Sequence, residues 1–342
     1  MTVTKLMPIG IAVISAWLGY IVFKTINFPV PALTGAATAV TIISLLGVNA
    51  DLPVKLRNAC ILVLGINIGT AVTPEVLETA IHWPATLAVM SLCVLLILAV
   101  SSWTLTRWFS MDILSATLAS APGHLSYVLS IAIDANRNVG AIAIIQTVRV
   151  LALTLGLPLL VQFIYGSSGN DLLSSQVAQP WHLAATLVVS IPVAILFQRW
   201  NVPAAWLIAG MVISALGHGF NITPGRIPDT LASGALMIMG ILIGSRFATT
   251  PPRETLGYLL PGLVVTALAG IISLLGVVVS FWMMGVHPAL LIVAFAPGGV
   301  EAMAAIALSL GYDPAFVAAH HVFRLFLLSL LMPYVFIRLR KH

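Results

Sequence analysis

Two prolines, Pro122 and Pro297, interrupt apolar stretches in the same way, 297 − 122 = 175 residues apart. The first break reads Ala121-Pro122-Gly123-His124-Leu125-Ser126. The second reads Ala296-Pro297-Gly298-Gly299-Val300-Glu301. Proline removes a backbone donor, and glycine weakens helix continuity. Inside a membrane, freed backbone groups are tolerated only against protein or in a water-filled cavity. A chain with two such breaks has to bury them within itself.

The rest of the sequence makes the membrane the medium. Of the 342 residues, 60% are hydrophobic and only 7% are charged, where a soluble domain carries about 25% charged residues. Apolar runs of about 20 residues recur throughout, which predicts an all-α integral membrane protein. A β-barrel would instead alternate in segments of about 10 residues. The connections are too short for a soluble catalytic or DNA-binding domain. The net charge of +5 comes from basic residues scattered singly at the ends of runs. They set orientation and do not suggest a nucleic-acid partner. Cys60 and Cys93 lie in apolar runs and read as small core residues. No metal site and no cofactor is expected.

The 175-residue offset recurs. It places Gly35 on Gly210, Pro53 on Pro228, Gly65 and Gly69 on Gly240 and Gly244, Arg149 on Arg324, and Pro158 on Pro333. Matches at Gly, Pro and an intramembrane Arg carry more weight than matches among Leu, Ala and Val. The chain therefore reads as two membrane repeats, 1–165 and 181–342, joined by a linker at 166–180. The first run, 6–23, is not a signal peptide on this reading, because its counterpart 181–198 is also a long apolar run.

The basic residues discriminate between arrangements. If each break is a re-entrant hairpin, Lys5, Lys55, Arg57, Arg107, Arg137, Arg199, Arg246, Arg253, Arg338, Arg340 and Lys341 share one side. Only Lys24 and Arg226 oppose them. The positive-inside rule favours this arrangement over a crossing but unwound helix, which stays open. It gives two inverted repeats of about five transmembrane helices each, plus a re-entrant or broken helix, 10–12 segments in all. Both termini would be cytoplasmic. Asp134 with Arg137 would mark the mouth of the first hairpin. The Gly-xxx-Gly pairs allow close helix packing, which we place beside the hairpins.

Arg149 and Arg324 lie deep in apolar runs, where a charge costs roughly 2.5–3.5 kcal/mol on insertion scales. Each needs an interior partner. Gln146 shares a helix face with Arg149, and His321 and His320 stand three and four residues before Arg324. On one reading the two arginines bind the free carbonyls of the hairpin tips and only hold the fold. On the other they also bind an anionic substrate, since a guanidinium fork suits a carboxylate. The halves differ at the break: Ser126 stands opposite Glu301, His124 opposite Gly299, and Gln146 opposite His321. Glu301 is the candidate carrier of a coupling proton or Na⁺, or else a partner for Arg324. His124, His320 and His321 could relay protons or simply be hydrogen-bonded interior residues.

The paired Ala-Pro-Gly segments, each followed about 27 residues on by an intramembrane Arg, resemble the AbrB-type duplicated membrane protein family. The resemblance covers essentially the whole chain. Members carry labels of regulators of gene expression or of ammonia monooxygenases. Neither label matches the residues above, which offer no DNA-binding domain and no copper or iron ligand set. The layout is also similar to inverted-repeat secondary transporters of the glutamate:sodium and citrate:sodium symporter type.

The expectation is a multi-pass protein of the bacterial inner membrane and not an enzyme. It would carry a small, anionic, carboxylate or amino-acid-like solute with H⁺ or Na⁺. The site would comprise Pro122, Gly123, His124, Ser126, Gln146, Arg149, Pro297, Gly298, Gly299, Glu301, His320, His321 and Arg324. Other partners would be membrane lipid and, as in similar folds, a second copy in a homodimer. A membrane sensor influencing gene expression is the alternative, with a membrane monooxygenase behind it.

Overall fold

The computed structural model describes residues 3–49, 52–72, 83–123, 125–166, 176–220 and 222–339. Most of the expected linker therefore lies outside the described residues. The first half contains α1 (Val3–Thr25), α2 (Pro31–Leu45), α3 (Val54–Gly69), α4 (Trp83–Phe109), α5 (Ile113–Ser120), α6 (Leu125–Asp134) and α7 (Val139–Tyr165). The second contains α8 (Pro180–Arg199), α9 (Ala205–Gly219), α10 (Asp229–Gly244), α11 (Pro252–Met284), α12 (Pro288–Phe295), α13 (Val300–Ser309) and α14 (Pro314–Leu339). A 3₁₀ turn, Ser245–Thr249, follows α10. Seven of the described helices are long and apolar enough to cross a membrane: α1, α4, α7, α8, α10 with its 3₁₀ turn, α11 and α14. The protein is an all-α, multi-pass membrane protein.

The halves repeat element by element, with one correction to the register. Helices α3 and α10 begin at 54 and 229 and end at 69 and 244, so the offset is 229 − 54 = 175. Helices α2 and α9 begin at 31 and 205, so their offset is 205 − 31 = 174. The turns before them agree with 174. Asn27 (φ 54) and Asn201 (φ 55) end the first helices in the left-handed region, and Val30 (φ 51) and Ala204 (φ 52) precede the second ones. Asparagine tolerates that region, which makes it a natural helix C-cap. Gly35 and Gly210 are thus one residue out of structural register. The α2–α3 connection is one residue shorter than α9–α10, and this restores the offset to 175.

Both breaks are re-entrant hairpins. Helices α5 and α6 have 8 and 10 residues, about 12 and 15 Å of rise, against a hydrocarbon core of about 30 Å. Neither can cross alone. Asp112, which caps α5 by accepting from the Ser115 N–H at 2.9 Å, lies 3.4 Å from Arg137 just beyond α6. The hairpin therefore leaves where it enters. Asp134 and Arg137 stand at the mouth, as the sequence suggested, and Arg137 pairs across it with Asp112. At the same positions in the second hairpin, His287 and Tyr312 stack with ring centroids 5.6 Å apart.

The repeats interlock. A Cβ on Gly240 of α10 would lie 2.7 Å from the Leu33 carbonyl oxygen of α2, and one on Gly244 would lie 2.9 Å from the Ala37 carbonyl oxygen. Gly65 and Gly69 of α3 meet the Leu207 and Met211 carbonyls of α9 in the same way. The glycine pairs seat the second helix of the opposite repeat, and α3, which carries the first pair, also packs against α13 of the second hairpin. The main core surrounds the hairpins. On α13, Ala302, Met303, Ala304, Ala305, Ile306 and Ala307 are all buried. Small side chains let this helix be enclosed on every side.

Candidate functional site

Helix ends leave carbonyls without intrahelical partners, and inside a membrane water cannot satisfy them. The two buried arginines supply the donors. Arg149 of α7 donates from its two terminal nitrogens to the carbonyls of Ser120 (3.2 Å) and Ala121 (2.7 Å). Arg324 of α14 donates to the Ala296 carbonyl at 2.7 Å and to that of Gly298. The next bond also repeats. Gln146 donates to the Leu118 carbonyl at 2.8 Å, and His321 Nε2 lies 3.1 Å from the Val293 carbonyl. These positions match, since 321 − 146 = 175 and 293 − 118 = 175. Each hairpin tip is thus held by an Arg and an amide-like donor three residues before it.

His321 is fully committed. A carbonyl accepts only from Nε2–H, and Nδ1 lies 2.9 Å from an Arg324 nitrogen that can only donate. The imidazole is therefore the neutral Nε2–H tautomer, with both nitrogens satisfied. His320 points elsewhere. Its Nδ1 lies 2.8 Å from the Phe316 carbonyl and its Nε2 lies 2.7 Å from Thr86 Oγ1. Its ring packs on Phe316, Phe295 and Trp83. The structure does not bring His320 to the hairpin tips.

A cavity of about 280 Å³ opens between the two tips and the surrounding helices. The first repeat lines it with Gly123, Leu125, Gln146, Arg149 and Val150. The second lines it with Pro203, Ala204, Arg246, Gly298, Gly299, Val300, Glu301 and Leu325. Glu301 sits in the first turn of α13, whose N-cap is Gly299 with no side chain capping it. That helix end adds positive potential to the cavity wall. Arg149 is 1% exposed, and its Nε is buried without a hydrogen-bond partner. The acceptors of its two terminal nitrogens are neutral carbonyls. Arg324 is held the same way, and the two guanidinium groups are close enough to interact electrostatically.

A family model described as transition state regulatory protein AbrB matches residues 32–340. The chain belongs to the AbrB family. An Escherichia coli (strain K12) protein named "Putative regulator AbrB" is 25% identical over 339 residues, covering 96% of each chain. A Bacillus subtilis (strain 168) protein named "Uncharacterized protein YhjN" is 27% identical over 305 residues, covering 82% of this chain and 77% of that one. The family match includes both hairpins, both buried arginines and every residue that lines the cavity.

Of the residues expected from sequence, this AbrB-family fold brings Gly123, Gln146, Arg149, Gly298, Gly299 and Glu301 to one cavity. Arg324 and His321 stand behind the second tip as its clamp. Pro122 is buried, and Pro297 lines a separate apolar groove between α7 and α11. His124 and the Ser126 side chain lie outside the described residues. Arg246 was missed. In sequence it reads as one more basic residue at the end of a run, yet its 3₁₀ turn carries it into the cavity facing Glu301. The only sequence signal is its nearness to the Gly240/Gly244 helix end.

Proposed function

We propose that this protein is a secondary active transporter, and not an enzyme, that binds a small anionic solute between its two hairpin tips and couples its movement to H⁺ or Na⁺. One observation carries the reading. Arg149 lines an open cavity in the middle of the membrane fold, is almost wholly buried, and keeps an unpartnered N–H. A buried guanidinium with only neutral acceptors is an incompletely compensated charge, which an anion would complete. The uncapped N-terminus of α13 favours the same charge sign. Glu301, facing that space, is the candidate coupling group.

Orientation follows from the basic residues. Arg57, Arg199, Arg246 and Arg253 would share the cytoplasmic side of a bacterial inner membrane. The cavity walls formed by Pro203, Ala204 and Arg246 belong to that side, so the state described here would open to the cytoplasm.

The test is a thermal-shift screen of detergent-purified protein against small carboxylates, amino acids, NaCl and choline chloride. A ligand of the folded state raises the midpoint by mass action. A carboxylate or amino acid should raise it, and Arg149→Lys should lose the effect. Glu301→Gln should abolish concentrative uptake of that solute into proteoliposomes while leaving folding intact. Normal uptake by Glu301→Gln protein would remove its coupling role. No stabilising solute for well-folded protein would remove the transporter reading. The relative named as a regulator favours a second reading, a membrane sensor using the same cavity. A partner protein that co-purifies stably would favour it.

A further inference from the structure

We propose that Arg246 is part of the ion site: it competes with the coupling cation for Glu301 in the state that opens to the cytoplasm. This rests on the transporter reading above and concerns how its cation would be released.

Glu301 and Arg246 line the same cavity from different elements, the first turn of α13 and the 3₁₀ turn after α10. They are close enough to interact electrostatically. Among the described residues, the other ionisable group lining the cavity is Arg149, and the Cys60 thiol on α3 is close enough to Glu301 to interact with it electrostatically. Arg149 has its terminal nitrogens on the Ser120 and Ala121 carbonyls. Arg57 is a like charge close enough to Arg246 to interact with it electrostatically.

The repeats supply the second argument. In the 175 register, Glu301 matches Ser126 and Arg246 matches Ala71. The two positions therefore change together: acid with base in one repeat, hydroxyl with methyl in the other. Arg324 and Arg149, which serve the fold, are present in both. A charge pair confined to one repeat is not needed to build the hairpin, because the other hairpin is built without it. A tethered guanidinium beside Glu301 also offers what a bound cation offers, a positive charge at a carboxylate. Two positive charges cannot share that place at low cost. Arg246 would thus weaken Glu301's hold on H⁺ or Na⁺ where the cation has to leave.

The experiment needs no knowledge of the solute. Unfolding midpoints of full-length protein are measured in NaCl against choline chloride at equal ionic strength, and from pH 8 down to pH 5 in choline chloride. Arg246→Gln should gain a rise of a few degrees with Na⁺ or with acid, whichever cation the site takes, and wild type should show less. The Arg246→Gln/Glu301→Gln double variant should lose the gain. Arg246→Lys, which keeps the charge, should behave as wild type. An Arg246→Gln response no larger than wild type in both arms overturns the proposal, as does a gain that survives in the double variant. If Arg246→Gln does not fold, Arg246→Lys decides: a wild-type response supports the charge role, and a gained response overturns it. Failure here leaves solute binding at Arg149 standing. Failure of the solute screen with a positive result here removes the transporter reading and keeps the charge competition.

Discussion

The thiol of Cys60 donates to the carbonyl of Ala235 at 3.0 Å, and the two residues are the same position of the two repeats, since 235 − 60 = 175. Equivalent positions can touch only on an axis that exchanges the repeats. The pseudo-twofold axis therefore passes between α3 and α10, the helices whose glycines hold the partner repeat.

Those glycines should separate cleanly from others on the same helices. A Cβ on Gly240 would meet the Leu33 carbonyl, whereas one on Gly234, in the same helix, would meet nothing within 4 Å. Gly240→Ala should lower the unfolding midpoint, with an overpacking cost of about 1–3 kcal/mol. Gly234→Ala should hold or raise it, because alanine gains about 1 kcal/mol of helix propensity over glycine. Equal effects would show that the glycine contacts do not hold the repeats together.

The equivalence of Gln146 and His321 makes a substitution predictable. Gln146 already makes in one repeat the bond that His321 makes in the other. His321→Gln should leave the midpoint near wild type, and His321→Leu should lower it, the unsatisfied carbonyl costing about 1–3 kcal/mol of stability. If His321 only holds the tip, any solute-uptake pH profile should be the same in His321→Gln protein. A shifted profile would assign it a proton.

At the mouth of the first hairpin, the two partners should not be equal. Asp112 and Arg137 are both partly exposed, at 44% and 39%. An exposed ion pair contributes about 0–1 kcal/mol. Asp112 also caps α5, and losing such a cap costs about 1 kcal/mol. Asp112→Ala should therefore destabilise more than Arg137→Gln, by thermal denaturation of each variant. The reverse order would mean that the ion pair, and not the cap, closes the hairpin.

Asp313, at the start of α14 and outside the spanning helices, offers a pH test. Burial raises its carboxyl above the ordinary 3.8, against the pull of the Ala315 and Phe316 N–H donors. The folded state then holds this proton more tightly than the unfolded state. Its contribution is full below the unfolded value and fades as pH rises through the folded one. Asp313→Asn should flatten the decline in stability that begins just above pH 3.8, as read from midpoints across acid pH. An unchanged curve would show that another carboxylate is responsible.

The twin breaks, the duplication and the buried arginines were legible because each violates what an apolar helix allows. A proline, a glycine pair or a charge in hydrocarbon needs a partner, and regular spacing shows where to look. Arg246 broke no such rule. A basic residue at the end of a run is ordinary, and only the 3₁₀ turn reveals that it faces Glu301. The glycine pairs of α3 and α10 announced close packing without naming the neighbour, because a bare Cα fits any helix. The one-residue slip at α2 and α9 was hidden by the chance alignment of Gly35 with Gly210.

The interlock has a consequence for how such a protein is made. While only residues 1–165 have left the ribosome, α3 presents its glycines to a helix not yet synthesised, and α2 waits for α10. The first repeat cannot close its own seams, and the second finishes both. An ancestral single repeat would have faced the same vacancy. It could have filled it only with a second molecule inserted upside down, so the gene fusion would have turned a chance meeting in the bilayer into an inherited one.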